Sequence, residues 1–182
     1  MAEDSLLSRM VYVVTSIAER EQRGPADREL SWAMADGGRY DGDDRAVLFS
    51  AADLASLVGQ SPVVLTRGLK KLEAAGILNP KKGPGGGWAL ARPASSITIY
   101  SIYAALYDAD QQPVRGAPAD MSKSHCPVRV VASQTLGQLY EAMAASCREA
   151  MDTVTIAAVV GKARRPLRQF FDAVQEGVTI EG

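Results

Sequence analysis

The sequence predicts a mostly α-helical chain with one small two-stranded β ribbon. Three observations predict it. Apolar residues recur at helical spacing along most of the chain. Two short helices are bounded by start and stop residues with a turn of about three residues between them. Directly after the second come a short apolar run, the glycine-rich stretch Lys81-Lys82-Gly83-Pro84-Gly85-Gly86-Gly87, and the return run Trp88-Ala89-Leu90-Ala91.

A length of 182 residues fits one domain with appendages. With 47% hydrophobic residues the chain can bury a core. No run approaches the roughly 18 unbroken apolar residues of a membrane span. The start, Met1-Ala2-Glu3-Asp4-Ser5, is acidic where a secretory signal is basic. The expected setting is soluble and cytoplasmic, with no membrane partner. A formal net charge of −1 excludes a globally basic nucleic-acid binder but not a locally basic one. Two cysteines, Cys126 and Cys147, and one histidine, His125, cannot supply a four-ligand zinc site or a disulfide framework within one chain.

The first helix is expected over about 5–22, where Leu6, Leu7, Met10, Val13, Val14 and Ile17 make one stripe and Gly24-Pro25 ends it. Residues 24–47 read as an insertion loop, with a short helix over Arg28–Ala35 around Leu30 and Trp32. The tandem aspartates Asp41, Asp43 and Asp44 lack the terminal glutamate of an EF-hand and read as solvated loop. Ser50 with Asp53 marks the next helix start, a weaker form of the Glu/Gln capping box. That helix carries Leu54, Leu57 and Val58 and stops near Gly59. Ser61-Pro62 starts the second, as N-cap and first-turn proline. Its buried stripe is Leu65, Leu69 and Leu72, and Gly76 sits where a left-handed C-cap is wanted. Two helices at this spacing followed by a ribbon make a winged helix-turn-helix.

A further helix is expected over Ser96–Asp108, then a polar connector over 109–126. The longest helical pattern runs from Pro127 to about Thr153, with Val131, Leu136, Leu139, Tyr140, Met143, Cys147, Met151 and Val154 on one stripe. Too little chain remains to bury that stripe, so a homodimer is expected. Ile156–Gly161 reads as a short helix belonging to the same dimerisation region, 127–162. Leu167, Phe170, Phe171 and Val174 predict an amphipathic helix in the tail, 163–182. The winged head is expected over 1–108.

Charge is segregated. Residues 60–92 hold six cations, Arg67, Lys70, Lys71, Lys81, Lys82 and Arg92, against one acid, Glu73. That is a net +5 in a chain of −1, leaving −6 elsewhere. Val63, Thr66, Arg67 and Lys70 lie at i, i+3, i+4 and i+7, opposite the leucine stripe. Such a helix fits the DNA major groove, where arginine can bond guanine bidentately. Two lysines beside a glycine tip suit phosphate and minor-groove contact. The glycine run is not a phosphate loop, because it lacks the Gly-Lys-Ser/Thr ending and leads into a strand.

Residues 65–91, with Leu72-Glu-Ala-Ala-Gly76-Ile77-Leu78 and Lys82-Gly-Pro-Gly-Gly-Gly87-Trp88-Ala-Leu90-Ala, resemble the core of the IscR/NsrR/CymR family of bacterial winged-helix transcription regulators. Pro93-Ala-Ser-Ser-Ile97-Thr-Ile99-Tyr-Ser-Ile102 and Met151-Asp-Thr-Val154-Thr155-Ile156 are similar to it too. The resemblance covers roughly 5–22 and 48–160. It implies a homodimer paired through the long helix and a palindromic operator in double-stranded DNA. Family contacts carry onto Ser61, Thr66, Arg67, Lys70 and Lys82; the charge pattern adds Lys71 and Lys81, and the close-approaching wing tip adds Gly85 and Gly86. The family's iron–sulfur members carry three closely spaced cysteines before the long helix. This chain has one there, Cys126, and Cys126-Pro127-Val128 is more like the clusterless members. No cofactor is therefore expected; an iron–sulfur cluster with Cys126 as ligand is the alternative.

His125-Cys126-Pro127-Val128-Arg129 places a thiol at a helix N-terminus beside two potential cations, all features that favour thiolate. Cys126, with His125, is the candidate redox sensor; its rival is a thiol packed under the connector. Tyr100, Tyr103, Tyr107 and Trp32 are candidates for lining an effector pocket, against a plain core role. A Cys–His hydrolase lacks an orienting third group, so no enzyme is expected. The reading is a DNA-binding regulator, a homodimeric repressor set by a redox or small-molecule signal. The alternative is a winged helix used for protein interaction or ligand sensing.

Overall fold

The computed structural model describes residues 6–21, 39–40, 47–83, 86–107 and 125–163. In chain order these form α1 (Leu6–Glu21), β1 (Arg39–Tyr40), β2 (Val47–Leu48), α2 (Ala51–Leu57), α3 (Pro62–Ala74), β3 (Leu78–Lys81), β4 (Gly87–Leu90), a 3₁₀ turn (Ala94–Ser96), α4 (Ile99–Leu106), α5 (Pro127–Asp152) and a last helix, α6, over 156–163. The helix expected around Leu30 and Trp32, the Asp41–Asp44 loop, Gly85, the connector 109–124 and the tail from 164 lie outside the described residues.

Helix α1 is central to the head. Met10, Val13, Val14, Ile17 and Ala18 are sealed from water, and they share a core with Leu54, Leu65, Leu69, Leu72, Ile77, Ile97, Ile102 and Leu106. Each fully buried aliphatic side chain contributes about 1.5–3 kcal/mol. The sequence groups Ile156–Gly161 with the long helix. The structure places Ile156 and Val160 in the core of the head.

The helix-turn-helix is fixed by its caps. Ser50 and Asp53 form a full capping box: Ser50 Oγ accepts from Asp53 N at 3.1 Å, and Ser50 N donates to Asp53 Oδ2 at 3.0 Å. Helix α2 ends in a Schellman motif, with Gln60 N donating to the Ala55 carbonyl and Gly59 N to that of Ser56. Gly59 holds φ +62°, a conformation costly for any residue with a Cβ. The same motif recurs at the end of α3, where Ile77 N reaches the Leu72 carbonyl and Gly76 N that of Glu73. Ser61 caps α3 and accepts from Val64 N at 3.5 Å, with Pro62 in the first turn.

The ribbon pairs Leu78 with Leu90 and Lys81 with Gly87, antiparallel as expected. It has an unforeseen neighbour. Phe49 bridges Trp88 with bonds of 2.8 and 3.3 Å, which ties the start of the helix-turn-helix to the wing. A Cβ on Gly87 would stand 2.6 Å from the Phe49 carbonyl oxygen, so only glycine fits there. Within the expected insertion loop, Arg39–Tyr40 pairs antiparallel with Val47–Leu48. Arg20, 7% exposed, lies over the Phe49 ring at 5.2 Å.

The expected helix over Ser96–Asp108 starts later, at Ile99. Thr98 caps it in a second box with Ser101. The backbone before it is already engaged. Ile156 N donates to the Ile97 carbonyl at 2.8 Å and Ile99 N to that of Val154 at 2.9 Å. Thr98 Oγ1 also donates to Asp152 Oδ1 at 2.9 Å. This strap joins the head to the end of α5. Among the described residues no helix is long and apolar enough to cross a membrane.

Glu21 ties α1 to the wing by accepting from Leu90 N at 3.2 Å. Burial raises its carboxyl above the ordinary value of 4.5, against the lowering effect of that N–H. A raised acid favours the protonated folded state. Its contribution is present at low pH and lost as pH rises through the folded pKa. Glu21→Gln keeps an acceptor and removes the charge. Thermal melts should place the variant above wild type at pH 7, with the gap closing toward pH 4. A gap independent of pH would remove Glu21 from this role.

Candidate nucleic-acid interface

Helix α3 is buried on one side and bare on the other. Leu65, Gly68, Leu69 and Leu72 face the core. At 100° per residue, Val63, Arg67 and Lys70 fall directly opposite them, and all three are exposed. Thr66 lies to one side, partly covered. Its hydroxyl donates to the Pro62 carbonyl at 2.6 Å, leaving only acceptor capacity for a ligand. Ser61, Pro62, Val63 and Val64 are all exposed, so the positive end of the helix dipole meets solvent.

Lys71 differs from its neighbours. It sits on the flank of α3, and its ammonium donates to the carbonyl of Leu106, the last residue of α4. The charge thus closes the negative end of α4. Lys71 remains exposed, about 40° round the helix from Arg67 at 100° per residue, with its ammonium engaged by Leu106.

The chain passes from α3 to β3 in three residues, 75–77. Lys81 closes the ribbon opposite Gly87, and Lys82 follows it; both are exposed. Gly86 donates its N–H to the Gly83 carbonyl at 2.9 Å, and a Cβ there would lie 2.2 Å from the Lys81 carbonyl oxygen. The tight turn itself therefore requires glycine at 86. Arg92 is half-buried beyond β4. The exposed cations of α3 and the wing are Arg67, Lys70 and Lys71 on the helix, followed in sequence by Lys81 and Lys82, with Lys71 bonded to Leu106.

Cys126 occupies the N-cap of α5 and is exposed, as are His125 and Arg129. Cys147 is exposed too. It lies 21 positions further along the same helix, about 31 Å at roughly 1.5 Å per residue. The two thiols of one chain therefore cannot form a disulfide with each other. Among the described residues no three His, Cys, Asp or Glu side chains are grouped to hold a metal. The tyrosines adjoin along α4: Tyr100 and Tyr103 are stacked with ring centroids 6.3 Å apart, and Tyr103 and Tyr107 are tilted at 38° with centroids 4.8 Å apart. Each is half-buried, and Tyr107 packs against the core.

Helix α5 has two distinct faces. Gly137, Tyr140, Ala144, Arg148 and Met151 make its least exposed stripe, with Ala144 1% exposed. On the far side Val128, Val131, Leu136, Leu139 and Met143 stay bare, at 43–75% exposure. The predicted stripe mixed these two faces: Tyr140 and Met151 belong to the first.

A family model described as "Rrf2: Iron-dependent Transcriptional regulator" matches residues 42–162. No curated protein sequence matches. Among solved structures the chain resembles T. potens IscR, with 18% identity, a TM-score of 0.55, and coverage of 90% of this chain and 88% of that one. It also resembles CymR, the global cysteine regulator of B. subtilis, with 17% identity, a TM-score of 0.52 and coverage of 89% and 98%. The oxidised form of Staphylococcus aureus CymR matches with 19% identity, a TM-score of 0.54 and coverage of 88% and 96%. At these identities the likeness establishes the winged-helix fold.

Lys70 and Lys71 are adjacent and both exposed, and Lys71 is bonded to Leu106. Lys71→Met should lower unfolding stability in urea by about 1 kcal/mol, the net worth of one bond. Lys70→Met, at a bare site, should change it by less than about 0.5 kcal/mol. Equal losses would remove the Lys71–Leu106 clasp from the account.

Proposed function

The chain belongs to the Rrf2 family of transcriptional regulators, and from that premise we propose that it is a homodimeric, sequence-specific DNA-binding repressor. Membership makes it a regulator that binds DNA, not an enzyme. One observation carries the finer reading: a helix whose leucine face is sealed in the core holds Arg67 and Lys70 out to solvent on the other side. In this reading Arg67 and Lys70 enter the major groove. Ser61 and the α3 N-terminus take a phosphate, and Thr66 accepts at its edge. Lys81, Lys82 and the tip with Gly85 and Gly86 follow the backbone.

The bare face of α5 supports the dimer. A run of Val128, Val131, Leu136, Leu139 and Met143 along a 26-residue helix is a large unburied apolar surface. Pairing with the same face of a second copy removes it from water. A twofold dimer presents two heads to the duplex, which makes the preferred site a palindrome. Binding there occludes the site, so repression follows from occupancy.

The donor set does not fit a cluster held by three thiolates of one chain. The chain has two cysteines, set far apart on one rigid helix. We place it with regulators that respond without such a cluster, in the cytoplasm. The thiol of Cys126, exposed at the start of the pairing helix, is positioned to report oxidation to the dimer. A small-molecule effector is the other source of control.

Lys82→Ala should weaken binding to all duplexes alike and reduce the slope of log K against log salt by about 1. Arg67→Ala should cost about 1–3 kcal/mol and relax preference at one base position. A protein-interaction module would show no such salt slope. Leu139→Glu should convert the dimer to monomers in sedimentation while leaving the helical circular dichroism of the head intact. A Leu139→Glu protein that stays dimeric would move the interface elsewhere.

A further inference from the structure

Among the large hydrophobic side chains of the described residues, Val63 is the most exposed, at 83%. The apolar groups on α5 have an account in the dimer face. Val63 has none there, because it projects from α3. Nor does the core use it: it lies opposite Leu65, Leu69 and Leu72, which are 0–1% exposed. Its companions on that side are Arg67 and Lys70, one and two turns further along. Val64 beside it is 50% exposed. An apolar knob thus stands at the open end of a cationic face, in the first turn of the helix.

The occupant follows from chemistry. The cations commit this face to a polyanion. The edges of base pairs in the major groove offer one apolar feature, the 5-methyl of thymine; every other group there is a donor or acceptor. A reading helix meets base edges with its N-terminal residues, where Val63 sits. Valine is also stiff about χ1 in a helix, so its two methyls are held in place before binding. Serine or asparagine there would seek a hydrogen bond; valine can only exclude water from another apolar group.

We propose that Val63 is a specificity residue that recognises the 5-methyl group of one thymine in each half-site. This rests on the DNA-reading function above. Loss of one buried methyl-sized contact weakens binding about fourfold.

The test begins with selection of preferred duplexes from a random pool by the full-length protein. Each thymine of the selected site is then replaced singly by deoxyuracil, which removes the methyl and leaves pairing intact. Affinities are measured for wild type and for Val63→Ala, a substitution at an exposed position that favours helix. The expected result is one thymine per half-site at which deoxyuracil costs wild type about fourfold. Val63→Ala binds the thymine site about fourfold more weakly and is indifferent to the same replacement. Two outcomes overturn the proposal alone: no thymine methyl matters to wild type, or its loss costs Val63→Ala as much. If no duplex is enriched at all, the DNA-reading function itself falls, and the proposal with it.

Discussion

Leu65, Leu69 and Leu72 of α3 lie sealed against a core dominated by α1, and the outward face of the molecule depends on that contact. Turning α3 by a single residue rotates its surface by about 100° and brings leucine into water. Each of the three is worth about 1.5–3 kcal/mol in the core. Val63, Arg67 and Lys70 therefore hold their direction because of residues on the other side of the helix. The ends of α3 are fixed as firmly. Ser61 and Pro62 start it, and the Schellman motif at Gly76 stops it and sends the chain into the wing.

A second constraint joins this head to α5. Ile97 and Ile99 exchange backbone bonds with residues 154 and 156, and Thr98 reaches Asp152. Ile156 and Val160 then return to the core. The end of the long helix is thus part of the head. In a dimer paired through α5, the separation of two reading helices is set by this strap and by the length of α5. Both are stiff elements, which suits recognition of two half-sites at one fixed spacing.

Local chemistry was readable in the sequence. Ser50 with Asp53, Ser61 with Pro62, Gly59 and Gly76 each act within a few residues, and each appears as expected. The leucine stripe of α3 and the paired runs around the glycine tip were equally plain. What escaped reading was contact at long sequence separation. Phe49 on the wing, Arg20 over Phe49, Glu21 on Leu90 and the strap of Thr98 with Asp152 join segments that no periodicity connects. The bond from Lys71 to the Leu106 carbonyl is another such long-range contact. The apolar stripe of α5 was read as one face because its total hydrophobicity is visible in sequence, while its division between head and open side is not.

The central claim is that two α3 faces, set apart by a rigid pairing helix, read one duplex together. A hydroxyl-radical footprint of the full-length protein on a selected duplex tests it most directly. The account predicts two protected patches related by a dyad, their centres about 10–10.5 base pairs or a multiple of that apart. A single patch without a symmetric companion, or uniform cleavage along the duplex, would contradict it.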